Sequence, residues 1–581
     1  MASSAGGGRL RRVQLSLRLT LFSPLALLLG LVGCGDQPPA NDPASGSATQ
    51  AGSNPTRPSP PPAADRQLVT IACGSGKQAW MTEALARFQA SKPQVDGHPI
   101  EVKAVYAGSG ELVDNVLTGK LQAQILSPDA SLALAAHPEL LSSSDPLVLT
   151  PLVVACWEPV AKNLGWPGKP LGWSDLARLA TAGEQATAFG RFKLGHTHPE
   201  YSNSGAMAVL AMTHAALGSV APLTEASFED PRVGTLLGAV ERSVVHYGRS
   251  TKLFMDTLLA RGPGRLSAVV TYENEVVRVN EAIAARGNAG ESFRLVAIYP
   301  REGTYWCDHP AGLVAKPWVT GVAAKAAQQV LAFLKARPQQ ELALQFGLRP
   351  ADPAVAIGDD QRQRLTGLGI DLAQPSTVLP TPSAVVAEAS LRAWRAHKKT
   401  SDLLVVIDTS GSMQDEDRIA GARAGARALV EQLGANDRLT LVRFSTAVGA
   451  PFGPLTMDAA GKTQANAWID QLFPDGRTAL YQAVEQGLTQ MAQRPDDGRI
   501  RAVVVLTDGE DTITPDALPG LTARITQAAK EGGQIRLFTI AYGKEANRAA
   551  LKSLATATDA KAYEGSTNDA VAIFRDIATF F

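Results

Sequence analysis

The chain has 581 residues, of which 45% are hydrophobic and 19% charged, a globular composition on a chain too long for one core. Two to four domains are therefore expected. Lysine plus arginine equals aspartate plus glutamate at 55 each, so the charge balance excludes a general attraction to nucleic acid or to an anionic membrane surface.

At the N-terminus, Arg9, Arg11, Arg12 and Arg18 form a basic region ahead of an apolar stretch from about Leu19 to Val32. This is the pattern of a targeting segment, and it is shorter than the roughly 20 residues of a membrane span. The stretch ends in Leu31-Val32-Gly33-Cys34, which resembles a bacterial lipobox. The resemblance implies a signal peptide over residues 1–34 and a lipid on Cys34, anchoring the protein on the outside of the cell membrane or in the outer membrane. A plain signal peptide or a short anchor is the alternative. Residues 35–66 are rich in Pro, Ser, Ala, Gly and Asn, including Pro58-Ser59-Pro60-Pro61-Pro62, and read as a disordered tether.

From Gln67 the pattern changes. Leu68–Ala72 predicts a strand, Gln78–Gln89 a helix with Trp80, Leu85 and Phe88 at helical spacing, Ile100–Tyr106 a strand and Leu112–Leu121 a helix. Such alternation predicts an α/β domain with a largely parallel sheet over residues 67–350. Four loops share one form, small polar residues leading into a helix: Cys73-Gly74-Ser75-Gly76, Gly108-Ser109-Gly110, Ser127-Pro128-Asp129-Ala130 and Ser202-Asn203-Ser204-Gly205. Free amides at a helix start suit an anionic group, and several such loops fit a cleft between two lobes.

With Gly195-His196-Thr197-His198-Pro199, Thr271-Tyr272-Glu273-Asn274 and Tyr299-Pro300-Arg301-Glu302-Gly303-Thr304, this segment resembles bacterial extracellular solute-binding proteins of the type II periplasmic fold. The resemblance implies a small solute in the cleft and makes Ser75, Ser109, Asp129, Ser204 and Tyr272 the candidate contacts. His196 and His198 read as loop histidines supporting a turn, because no spacing for further metal ligands accompanies them. Glu273 either pairs with a cationic group of the ligand or satisfies buried backbone.

Residues 351–399 carry weaker signals, with Gln374-Pro375, Leu379-Pro380-Thr381-Pro382 and a helix over Ser383–His397, and read as a connector packing partly on its neighbours. Residues 400–581 are clearer. Leu403–Ile407, Leu439–Phe444, Ala502–Leu506 and Ile535–Ala541 are apolar runs, as in strands covered on both faces. Helical patterns over Arg418–Leu433, Ala479–Gln493 and Leu521–Glu531 separate them, giving a doubly wound sheet with its site at the carboxyl ends of the strands.

Asp408-Thr409-Ser410-Gly411-Ser412 follows the first run, Asp475-Gly476-Arg477-Thr478 leads into a helix, and Leu506-Thr507-Asp508-Gly509 follows a third strand. Oxygen-only donors suit a hard cation. The set Asp408, Ser410, Ser412, Thr478 and Asp508 resembles the metal-ion-dependent adhesion site of von Willebrand factor A domains. The resemblance implies Mg²⁺ (or Mn²⁺ or Ca²⁺), hydroxyls bound directly and aspartates often through water, with an open position for a carboxylate of a protein partner. Asp415, Glu416 and Asp417 read as acids complementing a helix N-terminus, with an accessory Ca²⁺ site as the alternative and Glu510 and Asp511 adding to an acidic rim.

After Cys34, an odd count remains in Cys73, Cys156 and Cys307, permitting one disulfide; Cys156 reads as a buried small side chain and Cys73 with Cys307 is conceivable. The expected fold is thus α/β, a two-lobed periplasmic-binding-protein-like domain followed by a doubly wound, Rossmann-like von Willebrand factor A domain. The expected function is metal-dependent adhesion plus solute binding. A receptor for a separate ABC-type transporter is the alternative, and a hydrolytic enzyme is less favoured, since no Gly-x-Ser-x-Gly or His-Glu-x-x-His pattern is present.

Overall fold

A computed structural model describes residues 66–287, 293–530 and 534–581. The expected lipobox with Cys34, and all of the expected tether over residues 35–66 except its last residue, lie outside the described residues. Among the described residues, no helix is long and apolar enough to cross a membrane.

In the first lobe, Gln67–Gly74 runs parallel to His98–Ala107 on one side and to Ile125–Ser127 on the other. Side chains alternate between the faces of this sheet: Val69, Ile71 and Cys73 join one apolar cluster with Trp80, Leu85 and Phe88, while Ala72 and Leu126 join another with Leu112 and Val116. The chain crosses to the second lobe through Asp145–Pro146 and Val148–Trp157, and returns through Trp306–Cys307 and Pro310–Leu313.

In the second lobe, Val148–Trp157 pairs antiparallel with Ala268–Tyr272, Leu295–Ile298 and Trp306–Cys307. The largely parallel sheet expected for the central domain is therefore found only at the heart of the first lobe, the second lobe adding one short parallel pair, Leu194–Gly195 beside Ala268–Tyr272. The reason is the crossing itself, because each strand that enters from the other lobe runs against its new neighbours, as Pro310–Leu313 does beside Ile125–Ser127. Within residues 351–399, the helix Ala384–His397 packs on Asn203–Leu217 and Pro231–Glu241, with Trp394 buried against the rings of His198 and Tyr247 at 4.6 and 5.1 Å.

The C-terminal sheet has the order Phe452–Thr456, Arg438–Phe444, Ser401–Asp408, Ile500–Thr507, Arg536–Tyr542, Ala562–Gly565, all parallel except the first, an antiparallel edge. Leu403 to Ile407 are wholly buried, Leu404 and Val406 against one helical layer and Leu403, Val405 and Ile407 against the other. The second layer is continuous with the core of the second lobe through Phe580 and Phe581, and the Tyr247 amide donates to the Phe580 carbonyl at 3.2 Å. Burying such a run contributes about 1.5–3 kcal/mol per aliphatic side chain.

Cys73, Cys156 and Cys307 are all buried free thiols, so the disulfide that their number permitted does not form.

Candidate metal centre and inter-lobe site

The strand order of the C-terminal domain reverses between Ser401–Asp408 and Ile500–Thr507: chain order climbs outward from each of these neighbours. A parallel sheet leaves a crevice at the carboxyl ends of the two strands flanking such a reversal. Asp408 ends the first strand and Asp508 follows the second, so topology alone brings them together. The third loop is pinned beside them by backbone bonds, from the Asp475 amide to the Thr409 carbonyl at 2.7 Å and from the Gly411 amide to the Gly476 carbonyl at 3.0 Å.

Asp408 is fully buried; its Oδ1 accepts from the Ser410 amide at 2.7 Å and its Oδ2 from the Thr507 hydroxyl at 2.5 Å. Burial pushes its carboxyl up to about 7, against the stabilising bonds from Thr507 and Ser410. Ser410 Oγ and Ser412 Oγ lie 3.2 Å apart, and the Ser412 hydroxyl donates to Asp508 Oδ1 at 2.9 Å. Thr478 is buried beside the same turn: a Cβ on Gly509 would stand 3.8 Å from its hydroxyl oxygen, and its amide donates to Thr512 Oγ1 at 2.9 Å. All five predicted positions therefore gather at one crevice.

An octahedral ion with ligand oxygens at about 2.1 Å needs adjacent oxygens about 3 Å apart. The separations of 3.2 and 2.9 Å along Ser410, Ser412 and Asp508 meet that requirement, and every donor is oxygen. Among the described residues, no group of three or more His, Cys, Asp or Glu side chains is arranged to hold a metal. The crevice differs in kind, since three of its five donors are hydroxyls.

The rim follows expectation in one part and departs from it in another. Asp415, Glu416 and Asp417 stand at the N-terminus of helix Arg418–Gln432, with Asp417 at the N-cap, so their charge complements the positive end of the helix although the Asp417 side chain makes no capping bond; Glu416 and Asp417 have φ of 50° and 56°. The three acids thus sit exposed on the turn before the helix. Asp511 is bound inward, its oxygens accepting from the amides of Tyr481 at 2.7 Å and Ile513 at 2.9 Å, so it organises the loop rather than adding to the rim. Sequence reasoning also passed over Arg418, whose Nη1 lies 2.8 Å from Asp508 Oδ2 and Nη2 2.8 Å from Glu545 Oε2.

In the central domain the four polar loops meet between the lobes. Ser109 Oγ accepts from the Asp129 amide at 2.9 Å, and Asp129 Oδ2 from the Gly76 amide at 3.2 Å. Ser75 Oγ lies 3.3 Å from Ser250 Oγ, Ser204 Oγ 2.7 Å from Thr251 Oγ1, and the Tyr272 hydroxyl accepts from Asn203 Nδ2 at 3.3 Å. Gly108 and Gly110 permit the close approach of the lobes; a Cβ on either would stand 2.3 Å from a carbonyl of Tyr201 or Glu200. Of the candidate solute contacts, Ser109 and Asp129 engage one another, while Ser75, Ser204 and Tyr272 are held by the neighbouring side chains of Ser250, Thr251 and Asn203.

Lys77 is the residue here that no sequence signal marked. Its Nζ is buried and donates to the carbonyls of Ser127 at 2.8 Å and Pro128 at 2.9 Å, and lies 3.4 Å from Asp129 Oδ1. Burial alone would raise Asp129, but Lys77, with His309 and the Gly76 amide, holds its carboxyl below the usual range. Glu273 pairs within the chain, receiving Arg349 through both oxygens at 2.9 and 2.6 Å and the Tyr299 hydroxyl at 2.6 Å. His198 supports its turn, its carbonyl accepting from the amides of Tyr201 and Ser202 at 3.1 and 3.0 Å. Both His196 and His198 are pushed down by burial.

Two families account for most of the chain. Residues 69–349 match the bacterial extracellular solute-binding protein family and residues 402–576 the von Willebrand factor type A domain, so the protein joins a domain of each. Over 142 residues it is 24% identical to the uncharacterized protein YfbK of Escherichia coli (strain K12), a match spanning 24% of each chain and so about a quarter of that relative's length. Among solved structures, the periplasmic binding protein AfuA from Actinobacillus pleuropneumoniae, solved with exogenous fructose-6-phosphate bound, is 14% identical with a TM-score of 0.41, covering 57% of this chain and 98% of that one. A von Willebrand factor type A structure from Catenulispora acidiphila is 20% identical with a TM-score of 0.28, covering 31% of this chain and 42% of that one. Both matched families are binding domains, and the extracellular family places the central domain outside the cytoplasm.

Proposed function

We propose that this is a lipid-anchored extracytoplasmic binding protein, tethered through Cys34, whose C-terminal domain grips a protein partner through a divalent cation. Asp408, Ser410, Ser412, Thr478 and Asp508 would hold the ion, Mg²⁺ or else Mn²⁺ or Ca²⁺. Held mainly by neutral hydroxyls, the ion would keep an electrophilic position for a carboxylate of the partner. The chain's own residues prepare this: Thr507 and the Ser410 amide fix Asp408, and Ser412 orients Asp508.

In the same reading, the central domain takes a small solute between its lobes, with Ser75, Ser109, Asp129, Ser204 and Tyr272 as contacts that become available when the lobes part. No nucleic acid is involved, and the role is binding rather than catalysis. The observation that supports this reading best is the run of hydroxyl and carboxylate oxygens from Ser410 to Asp508 at ligand spacing. Titration of the full chain with Mg²⁺ tests it. Binding should be lost in Asp408→Ala and Thr478→Ala, and partner capture should fail in chelator; full Mg²⁺ affinity in both variants would refute the metal.

A further inference from the structure

A groove of about 560 Å³ lies where the second lobe meets the C-terminal domain, away from both sites described above. Its wall from the second lobe carries Arg191 and Arg242, the residues joining the domains add His397, Lys398 and Lys399, and the C-terminal domain supplies one carboxylate, Asp497. That carboxylate is already shared, with Arg438 at 2.8 Å and Arg499 at 3.2 Å.

Arg191 is already met by Glu184 and lies 3.9 Å from Asp496, but the other cations are poorly compensated from within. Lys399 Nζ donates to the Val244 carbonyl at 2.9 Å instead of a carboxylate, and Lys398 reaches Asp437 only at 3.7 Å. Among the described residues Arg242 makes no ion pair, and its side chain is exposed. Burial lowers Lys399 to about 8, with Arg191 and Arg501 acting in the same direction and Asp496 and Glu241 against it. Like charges are thus crowded into a concave junction, where the field of each adds to the next.

We propose that this groove binds a multiply charged oxyanion, specifically a phosphate group, with Arg242 and Lys399 as its principal contacts. Guanidinium forks match phosphate oxygens in pairs, and a lysine adds a point charge without geometric demand. Because the walls come from two domains, an anion in the groove would tie the second lobe to the C-terminal domain. The phosphate could belong to a free anion or to the headgroup of an anionic lipid, and the two are separable by experiment.

The full chain is titrated with inorganic phosphate, against sodium chloride at equal ionic strength, by calorimetry and thermal denaturation. Phosphate should raise Tm beyond chloride, and Arg242→Gln should weaken phosphate binding about tenfold. Arg232→Gln removes an exposed arginine that is already paired with Asp230 at 2.7 Å, and should leave the affinity unchanged. In a second arm, the protein is sedimented with phosphatidylglycerol vesicles and with uncharged phosphatidylcholine vesicles, and the difference between the two is read, so that binding through a lipid on Cys34 cancels. Excess binding to the anionic vesicles that is lost in Arg242→Gln, without a response to free phosphate, supports the site and identifies a lipid headgroup; a response to free phosphate identifies a free anion. Equal effects of phosphate and chloride together with no excess binding to the anionic vesicles, or an Arg242→Gln variant that behaves as wild type in the arm that responds, overturns the proposal.

Discussion

Arg418 Nη1 lies 2.8 Å from Asp508 Oδ2, so one of the two buried carboxylates at the head of the C-terminal sheet is already met by a cation of the chain itself. The guanidinium rests over Gly543, where a Cβ would stand 3.1 Å from Nε, and its other end reaches Glu545. Removing one partner of a buried pair leaves the other charge unpaired, at a penalty of about 3–5 kcal/mol. Arg418→Gln should therefore destabilise the protein by about 3 kcal/mol in chelator. The same change removes a positive charge beside the proposed ion, so Mg²⁺ should bind on the order of tenfold more tightly and restore much of the lost stability. Melting in chelator and in Mg²⁺, with a Mg²⁺ titration, checks both; an unchanged Mg²⁺ affinity would contradict the electrostatic part.

Glu241 gives the fold a pH dependence. It is buried beneath the junction of the second lobe and C-terminal domain, and burial pushes it up to about 7, opposed by the Tyr247 hydroxyl at 2.6 Å and by Lys398 and Lys399. In the unfolded chain this carboxyl ionises near its ordinary value of 4.5. Stability from the neutral form is therefore complete below about pH 4.5 and is lost as pH rises to about 7, roughly 3 kcal/mol in all. Glu241→Gln is neutral at every pH and keeps an acceptor for Tyr247. It should match wild type near pH 4 and exceed it at pH 8, a divergence read from the difference in Tm against pH.

How much of this was legible before the structure differs by element. The runs Leu403–Ile407 and Ala502–Leu506 stand out because strands covered on both faces are apolar at every position, and the loops after them inherit their place from the strands. The neighbouring edges are obscure for the same reason: Phe452–Thr456 contains Gly453-Pro454 and leaves Gly453, Pro454 and Thr456 exposed, so it has neither a full run nor a clean alternation. Direction was hidden too, because whether Val148–Trp157 runs with or against its neighbours depends on which lobe the chain has just left. Among site residues, Asp408, Ser410 and Ser412 share a local spacing, whereas Arg418 and Lys77 acquire their roles only by folding against Asp508 and Asp129. A buried cation with a distant partner leaves no periodic trace.

Trp394 sits outside any family signature yet fastens the helix Ala384–His397 to the second lobe. It is 1% exposed, edge-on to His198 and Tyr247 with ring centroids 4.6 and 5.1 Å away. Trp394→Ala would lose the transfer energy of the indole and leave a void among rigid rings. A loss of about 3–5 kcal/mol is expected, seen as a fall in the urea midpoint at unchanged slope.

Arg249 connects three parts of the molecule with one side chain. Nη1 lies 3.2 Å from Glu111 of the first lobe, Nε 2.6 Å from Asp576 on the helix Ala570–Ala578, and the guanidinium 4.4 Å over the ring of Tyr201 in the second lobe. The side chain is 24% exposed, so each ion pair alone is worth no more than about 1 kcal/mol. The consequence lies in their sharing one guanidinium. If the lobes part as proposed, the ion pair with Glu111 is lost, and the freed arginine would meet Asp576 with altered geometry and carry the change to the C-terminal helix. Arg249→Ala should raise hydrogen exchange in Ser109–Leu117 and in Ala570–Ala578 together, and increase the radius of gyration by scattering. Glu111→Gln, which cuts only the first link, should loosen the first helix by a similar amount and the second by less. If Arg249→Ala loosens one helix and leaves the other at its wild-type exchange rate, the arginine holds two neighbours separately and transmits nothing between them.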